Sequence, residues 1–237
     1  MRVALALAVL TVLLAATAAA YSLWSQTLTV KTAVNTGELD VEVTSASLLD
    51  TSCSDPSSPD YVIALTNRRP DFYQYSQLQE PDSNVACGSY MLVDSDGDGD
   101  YDTIEVVLYN AYPRYYNSLS FAFRNNGNIP LKLWYIEIGR EDDRGQYQVI
   151  DRIYLEDLGD LTDSDGVLLD LTGDGKPDIA VHLEDSLGDL IMPGQGRTGY
   201  TLQMAVLDDA PEASTLVFYV KPVAVQWNGF TESPQPR

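Results

Sequence analysis

The chain is poor in the residues that most often build catalytic centres: it has two cysteines, Cys53 and Cys87, and one histidine, His182. With no Ser/His or Cys/His arrangement to draw on, nucleophilic catalysis is not expected, and His182 reads as an ordinary strand residue. Basic residues are also scarce, 14 Lys and Arg against 35 Asp and Glu, for a net charge of −21. A chain this acidic is no partner for nucleic acid, whose phosphates need cations. Amphipathic helical periodicity is missing as well, which leaves an all-β chain. Only one long apolar run occurs, Val3 to Ala20, behind Met1-Arg2 and ending in Ala18-Ala19-Ala20. A basic start, an apolar centre and small residues at the end are the marks of a secretory signal, although the run approaches the length of a spanning helix. The alanine-rich end and the polar sequence after it favour cleavage of residues 1–20. The expected product is secreted, extracellular or at the cell surface, with no membrane segment after cleavage. In an oxidising compartment Cys53 and Cys87 would pair, closing a loop whose constraint stabilises by about 3–4 kcal/mol; two buried free thiols are the alternative.

Acid is what the sequence has in plenty, and it is concentrated. Asp94, Asp96, Asp98, Asp102 and Glu105 fall at positions one, three, five, nine and twelve of a single run, with Gly99 at six and Asp100 between. That is the spacing D-x-[DN]-x-[DN]-G-x5-E, whose oxygens wrap one Ca2+. Without a cation such carboxylates repel one another. The run is framed by Tyr90–Val93 and Ile104–Tyr109, both rich in strand formers, so the expectation is EF-type loop chemistry between two strands, without the helices of an EF-hand. A second run, Asp170 to Ile179, repeats the spacing with Asp170, Asp174 and Asp178 at one, five and nine and Gly175 at six. Thr172 stands at three and Lys176 at seven, and Val181 replaces the twelfth-position acid; Asp163 and Asp165 would complete the shell. This run also resembles the calcium turns of FG-GAP repeats, in a single copy. A plain polar turn is the competing reading.

Elsewhere the pattern alternates. Leu28 and Val30, then Leu39, Val41 and Val43, interleave with polar residues, as do Ser118–Arg124 and Leu131–Ile138 on either side of Asn125-Asn126-Gly127-Asn128-Ile129-Pro130. Further strands are expected at 147–155, Thr198–Leu207 and Leu216–Trp227. Roughly ten strands with Gly, Pro and Asp turns imply an antiparallel β-sandwich or jelly roll. Residues 21–35 would form a separate leading strand, 36–230 the β domain with an insertion at 50–89, and 231–237 a disordered tail. The leading strand has no obligatory partner in its own chain, and its apolar Leu23, Trp24, Leu28 and Val30 would each contribute about 1.5–3 kcal/mol if buried in another subunit. Pairing within its own sheet is the alternative.

Three features together resemble the TasA/camelysin family of exported biofilm-matrix proteins and its archaeal relatives, the bundling pilins and cannula subunits. The first is Tyr21-Ser22-Leu23-Trp24-Ser25 followed by Thr36-Gly37-Glu38-Leu39-Asp40. The second is Asn110-Ala111-Tyr112-Pro113 with Ser118–Ile136, and the third is Met192-Pro193-Gly194 ahead of the closing strands that end at Val225-Gln226-Trp227-Asn228. The resemblance implies a jelly-roll subunit that polymerises outside the cell by donor-strand complementation, with itself and with paralogous subunits as partners. The 50–89 insertion and the acidic loops depart from the minimal family core, and calcium loops fit the cannula-like branch. On this reading the chain is a calcium-stabilised subunit of a pilus, tube or matrix fibre. The alternative is a monomeric calcium-dependent surface glycan-binding module using Trp134, Trp227 or the tyrosines as stacking platforms.

Overall fold

The computed structural model describes residues 7, 9–14, 37–52, 60–63, 65–66, 69–70, 72, 79–80, 85–142, 144–154, 166–184, 189–211 and 213–228. The chain divides into two units, Met1–Thr36 and Gly37–Arg237. In the first, the described residues are helical, with Thr11 Oγ1 donating to the Leu7 carbonyl at 3.1 Å. Among the described residues no helix is long and apolar enough to cross a membrane. The expected donor residues Leu23, Trp24, Leu28 and Val30 lie outside the described residues, as does the 231–237 tail.

The second unit is built from strands, fifteen of them among the described residues: β1 (Val41–Leu48), β2 (Asp60–Val62), β3 (Leu65–Thr66), β4 (Arg69–Pro70), β5 (Gln79–Glu80), β6 (Cys87–Val93), β7 (Thr103–Ala111), β8 (Tyr115–Asn125), β9 (Leu131–Glu141), β10 (Tyr147–Tyr154), β11 (Val167–Leu169), β12 (Ile179–Glu184), β13 (Leu190–Ile191), β14 (Gly196–Val206) and β15 (Ser214–Gln226). The pairings between them are antiparallel and make two main sheets. One runs β11-β12-β14-β8-β2-β5 with β1 also on β8, and the other runs β10-β9-β15-β7-β6 with β13 on β9. Their inner faces share one hydrophobic core, so the unit is a β-sandwich.

Period-two alternation selects the core. Leu119, Phe121 and Phe123 of β8 and Tyr200, Leu202, Met204 and Val206 of β14 are buried with Ile104, Val106 and Leu108 of β7 and Leu216, Phe218 and Val220 of β15. Tyr200 stacks on Phe121 with ring centroids 5.5 Å apart and tilts against Phe123 at 4.9 Å. In β9 the alternation slips, since Leu133 and Ile136 are both buried. The register against β15 shifts between Val223 and Ala224, so Trp134 is the extra residue of a bulge.

One edge is stitched at both ends by backbone hydrogen bonds from Val43 N to Tyr101 O (2.6 Å) and from Gly88 N to Asp50 O (3.0 Å), which tie β1 of one sheet along β6 of the other. Here Cys87 is buried and disulfide-bonded; Cys53, the chain's other cysteine, lies outside the described residues. The 50–89 insertion contributes more than a surface excursion. Its Ile63 and Phe72 are fully buried in a second small cluster with Tyr116, Ala180 and Ala205 on the outer face of the β11–β8 sheet. Phe72 stacks on His182 at 5.5 Å, which places the lone histidine under a ring, where burial lowers its pKa.

A candidate cation site in paired acidic loops

Each acidic run closes an edge hairpin. The 94–105 run joins β6, the outermost strand of its sheet, to β7, and the 170–178 run joins β11, the outermost strand of the other sheet, to β12. The two loops share one hydrogen-bond plan. The first-position carboxylate accepts the amides of the fourth- and sixth-position glycines: Asp94 from Gly97 (2.7 Å) and Gly99 (3.1 Å), and Asp170 from Gly173 and from Gly175 (2.8 Å). The fifth-position carboxylate accepts from position seven, Asp100 N to Asp98 and Lys176 N to Asp174, both at 2.9 Å. The ninth-position amide closes the hairpin on the carbonyl just before the loop, Asp102 N to Val93 O (3.1 Å) and Asp178 N to Leu169 O (2.8 Å). All four glycines have φ between 81° and 103°, a region in which a side chain would be strained.

The loops differ in what they gather. Carboxylate oxygens of Asp94, Asp96 and Asp98 lie within 4.8 Å of one another, a spacing that fits a hard cation with oxygen ligands. Among the described residues the second loop has no such triple. Asp178 is fully buried there and accepts the amides of Leu171 (2.7 Å) and Thr172 (2.8 Å), with the Thr172 hydroxyl at 3.4 Å, so it serves as the loop's internal pin. The Lys176 ammonium reaches out to Asp209 at 3.6 Å. Asp163 and Asp165 lie outside the described residues. In the first loop Asp102 accepts from Ser95 N (2.9 Å) and Lys221 Nζ (2.7 Å), Asp100 accepts from Asn126, and Glu105 sits within β7 opposite Tyr219.

Neighbours that the loop spacing does not reveal complete the electrostatics. The Asn126-Gly127 turn packs on residues 38–40: a Cβ on Gly127 would lie 2.3 Å from the Glu38 carbonyl oxygen, and Asn126 N donates to Asp40 O at 3.1 Å. This brings the Asp40 carboxyl to the first loop, where burial and then the charges of Asp98 and Asp100 raise its pKa. Each loop also receives one cation from the β9–β15 strand pair. Burial would push Asp102 up, but hydrogen bonds from Lys221 and Ser95 outweigh it and hold the carboxyl below its usual range. Arg140 donates to the Leu171 carbonyl at 2.8 Å and lies against Gly173, where a Cβ would meet its guanidinium at 2.6 Å. At Asp170 desolvation pushes upward, yet the Gly175 and Gly173 amides, with Arg140, win and lower the pKa. Asp40, Asn126, Lys221 and Arg140 are distant in sequence from the loops, and only the closure of the sandwich shows them. The chain matches no family model, no curated protein and no solved structure.

Proposed function

We propose that this chain is an exported structural subunit, stabilised by Ca2+ in its edge loops, that polymerises by donor-strand complementation into an extracellular pilus, tube or matrix fibre. The observation that carries the reading is the shared plan of the two loops, with Asp94, Asp96 and Asp98 held within 4.8 Å on a chain of net charge −21. Copies so acidic repel one another at long range unless divalent ions are bound, so the metal would govern association as well as loop order. The first loop is the stronger site, because it offers three convergent carboxylates where the second, among the described residues, offers fewer. A jelly-roll topology and a leading strand 21–35 that fills a groove in the next copy belong to the same proposal, supported by the resemblance of most of residues 18–230 to the TasA/camelysin family. No step of this function asks for catalysis.

The test is negative-stain microscopy of the chain without residues 1–20, with millimolar Ca2+ and with chelator. Regular assemblies in calcium that vanish in EDTA are expected. A second reading, the monomeric calcium-dependent glycan-binding module, has its own observation: Trp134, Tyr135 and Tyr154 cluster with centroid separations of 5.1 to 6.1 Å, and Trp227 is half exposed. Light scattering that stays monomeric in both conditions would favour that module.

A further inference from the structure

The outward face of the β9–β15 sheet carries a cleft of about 310 Å3 beside the first acidic loop, lined by residues that include Glu137, Glu141, Tyr147 and Tyr219. Gly139 opens it. A Cβ there would lie 2.4 Å from the Tyr147 ring, so the missing side chain leaves a depression over which that ring leans. Tyr219 faces Gly139 across the β9–β15 pairing, and the two tyrosine rings meet edge to face at 5.9 Å and 71°. The walls are therefore largely carbon.

Charge in the cleft is only partly balanced. Glu137 is matched by Arg152 at 3.0 Å and Lys221 by Asp102 at 2.7 Å. Glu141 and Glu105 have no Lys or Arg within 4.0 Å among the described residues. Both face the Tyr219 hydroxyl, which donates to Glu141 at 2.9 Å. A phenol has one proton and serves one carboxylate at a time, so negative charge is left over beside aromatic surface. Lys221 directs its ammonium to Asp102 and to Ser95 Oγ (2.9 Å) and offers little to a ligand. The cleft is thus rich in acceptors and poor in donors. That suits neither a neutral polyol, which brings both in equal measure, nor a hard dication, which gains nothing from ring surface. An organic cation on an alkyl stem uses all of it, by ion pairing, by cation–π attraction and by apolar contact along the stem.

We propose that this cleft binds an alkylammonium or alkylguanidinium group, its head at Glu141 and its stem against Tyr147 and Tyr219. The group is the tip of a lysine or arginine side chain or a free alkylamine, and the inference stands whether or not the acidic loops take calcium. The experiment is NMR of the full chain carrying 13C-labelled tyrosine at fixed calcium, titrated with n-butylguanidinium, n-butylammonium, Nα-acetyl-arginine amide, 1-butanol and methyl glucoside. Saturable shifts of the Tyr147 and Tyr219 resonances with the cations, and none with butanol or the glucoside, are expected. Acetyl-arginine amide binding as tightly as butylguanidinium identifies a protein side chain as the occupant, and binding of the small cations alone identifies a free amine. E141Q should weaken binding by about fivefold, the scale of one half-exposed ion pair, and Y219F, which releases Glu141 from its phenol, should strengthen it by about twofold as read at Tyr147. Absence of saturable shifts, an equal response to butanol, a response to the glucoside alone, or E141Q and Y219F both binding like the parent chain would overturn the proposal.

Discussion

At the scale of single residues, the two first- and ninth-position aspartates of the second loop separate structure from metal binding. Asp178 is buried with its carboxylate satisfied by two amides and a hydroxyl. D178A should cost roughly 2–4 kcal/mol, because those donors lose their partner in a dry site, and urea unfolding in EDTA should show the loss in full. Asp170 is half-buried and holds the Gly173 and Gly175 amides, so D170A should lower the EDTA melting temperature less than D178A does and remove the part of the calcium response that belongs to this loop. Asp40 gives a pH signature. Its folded pKa lies above its ordinary 3.8, by burial and by Asp98 and Asp100, so the native state holds the extra proton and stability falls as pH rises across that window. Asp102, with a lowered pKa, has the opposite sign: its contribution is present above 3.8 and is lost as pH falls through the depressed folded value. In EDTA, D40N should raise the melting temperature at neutral pH, and calcium should shrink the difference.

At the scale of elements, the hairpin loops were legible because their chemistry is local. A carboxylate at position one can reach only amides a few residues on, and glycine at four and six is required by the positive φ found there. The long strands were legible for the same reason, since Leu119–Phe123 of β8, Tyr200–Met204 of β14 and Leu216–Val220 of β15 set a large apolar residue at every second position, although bulges interrupt β14 and β15 elsewhere. What alternation cannot announce is the cation docked on each loop. Lys221 lies on the outward face of β15 and Arg140 on the face of β9 that carries Ile136 and Ile138; the order of strands within the sheet decides what the first meets, and the packing of one sheet on the other what the second meets. K221M should lower stability in EDTA by about 1 kcal/mol, the scale of a partly exposed pair, and should enlarge the rise in melting temperature that calcium brings, because Asp102 loses its internal counter-ion. Likewise the burial of Ile63 and Phe72 under the 50–89 insertion escapes a composition of Ser, Asp and Pro, since two apolar residues nine apart carry no period. Deletion of residues 21–32 is expected to leave a folded subunit that no longer polymerises, read by circular dichroism and negative-stain microscopy; unaltered fibres would remove the donor role from that strand.

For the whole molecule, the account joins a closed hydrophobic sandwich to an acidic chain whose densest run, 94–105, forms an edge hairpin of one sheet, with a second aspartate loop on the edge of the other. The core does not depend on metal, so apo protein should remain folded while its loops carry the electrostatic strain. Bound cation would relieve that strain and lower the repulsion between copies. Calorimetric titration of Ca2+ into the chain freed of residues 1–20, paired with its melting temperature in EDTA, measures this link most directly. The account predicts cation uptake that is lost in a D94N/D96N/D98N variant and a melting temperature that chelator lowers; no heat of binding and a melting temperature indifferent to EDTA would contradict it.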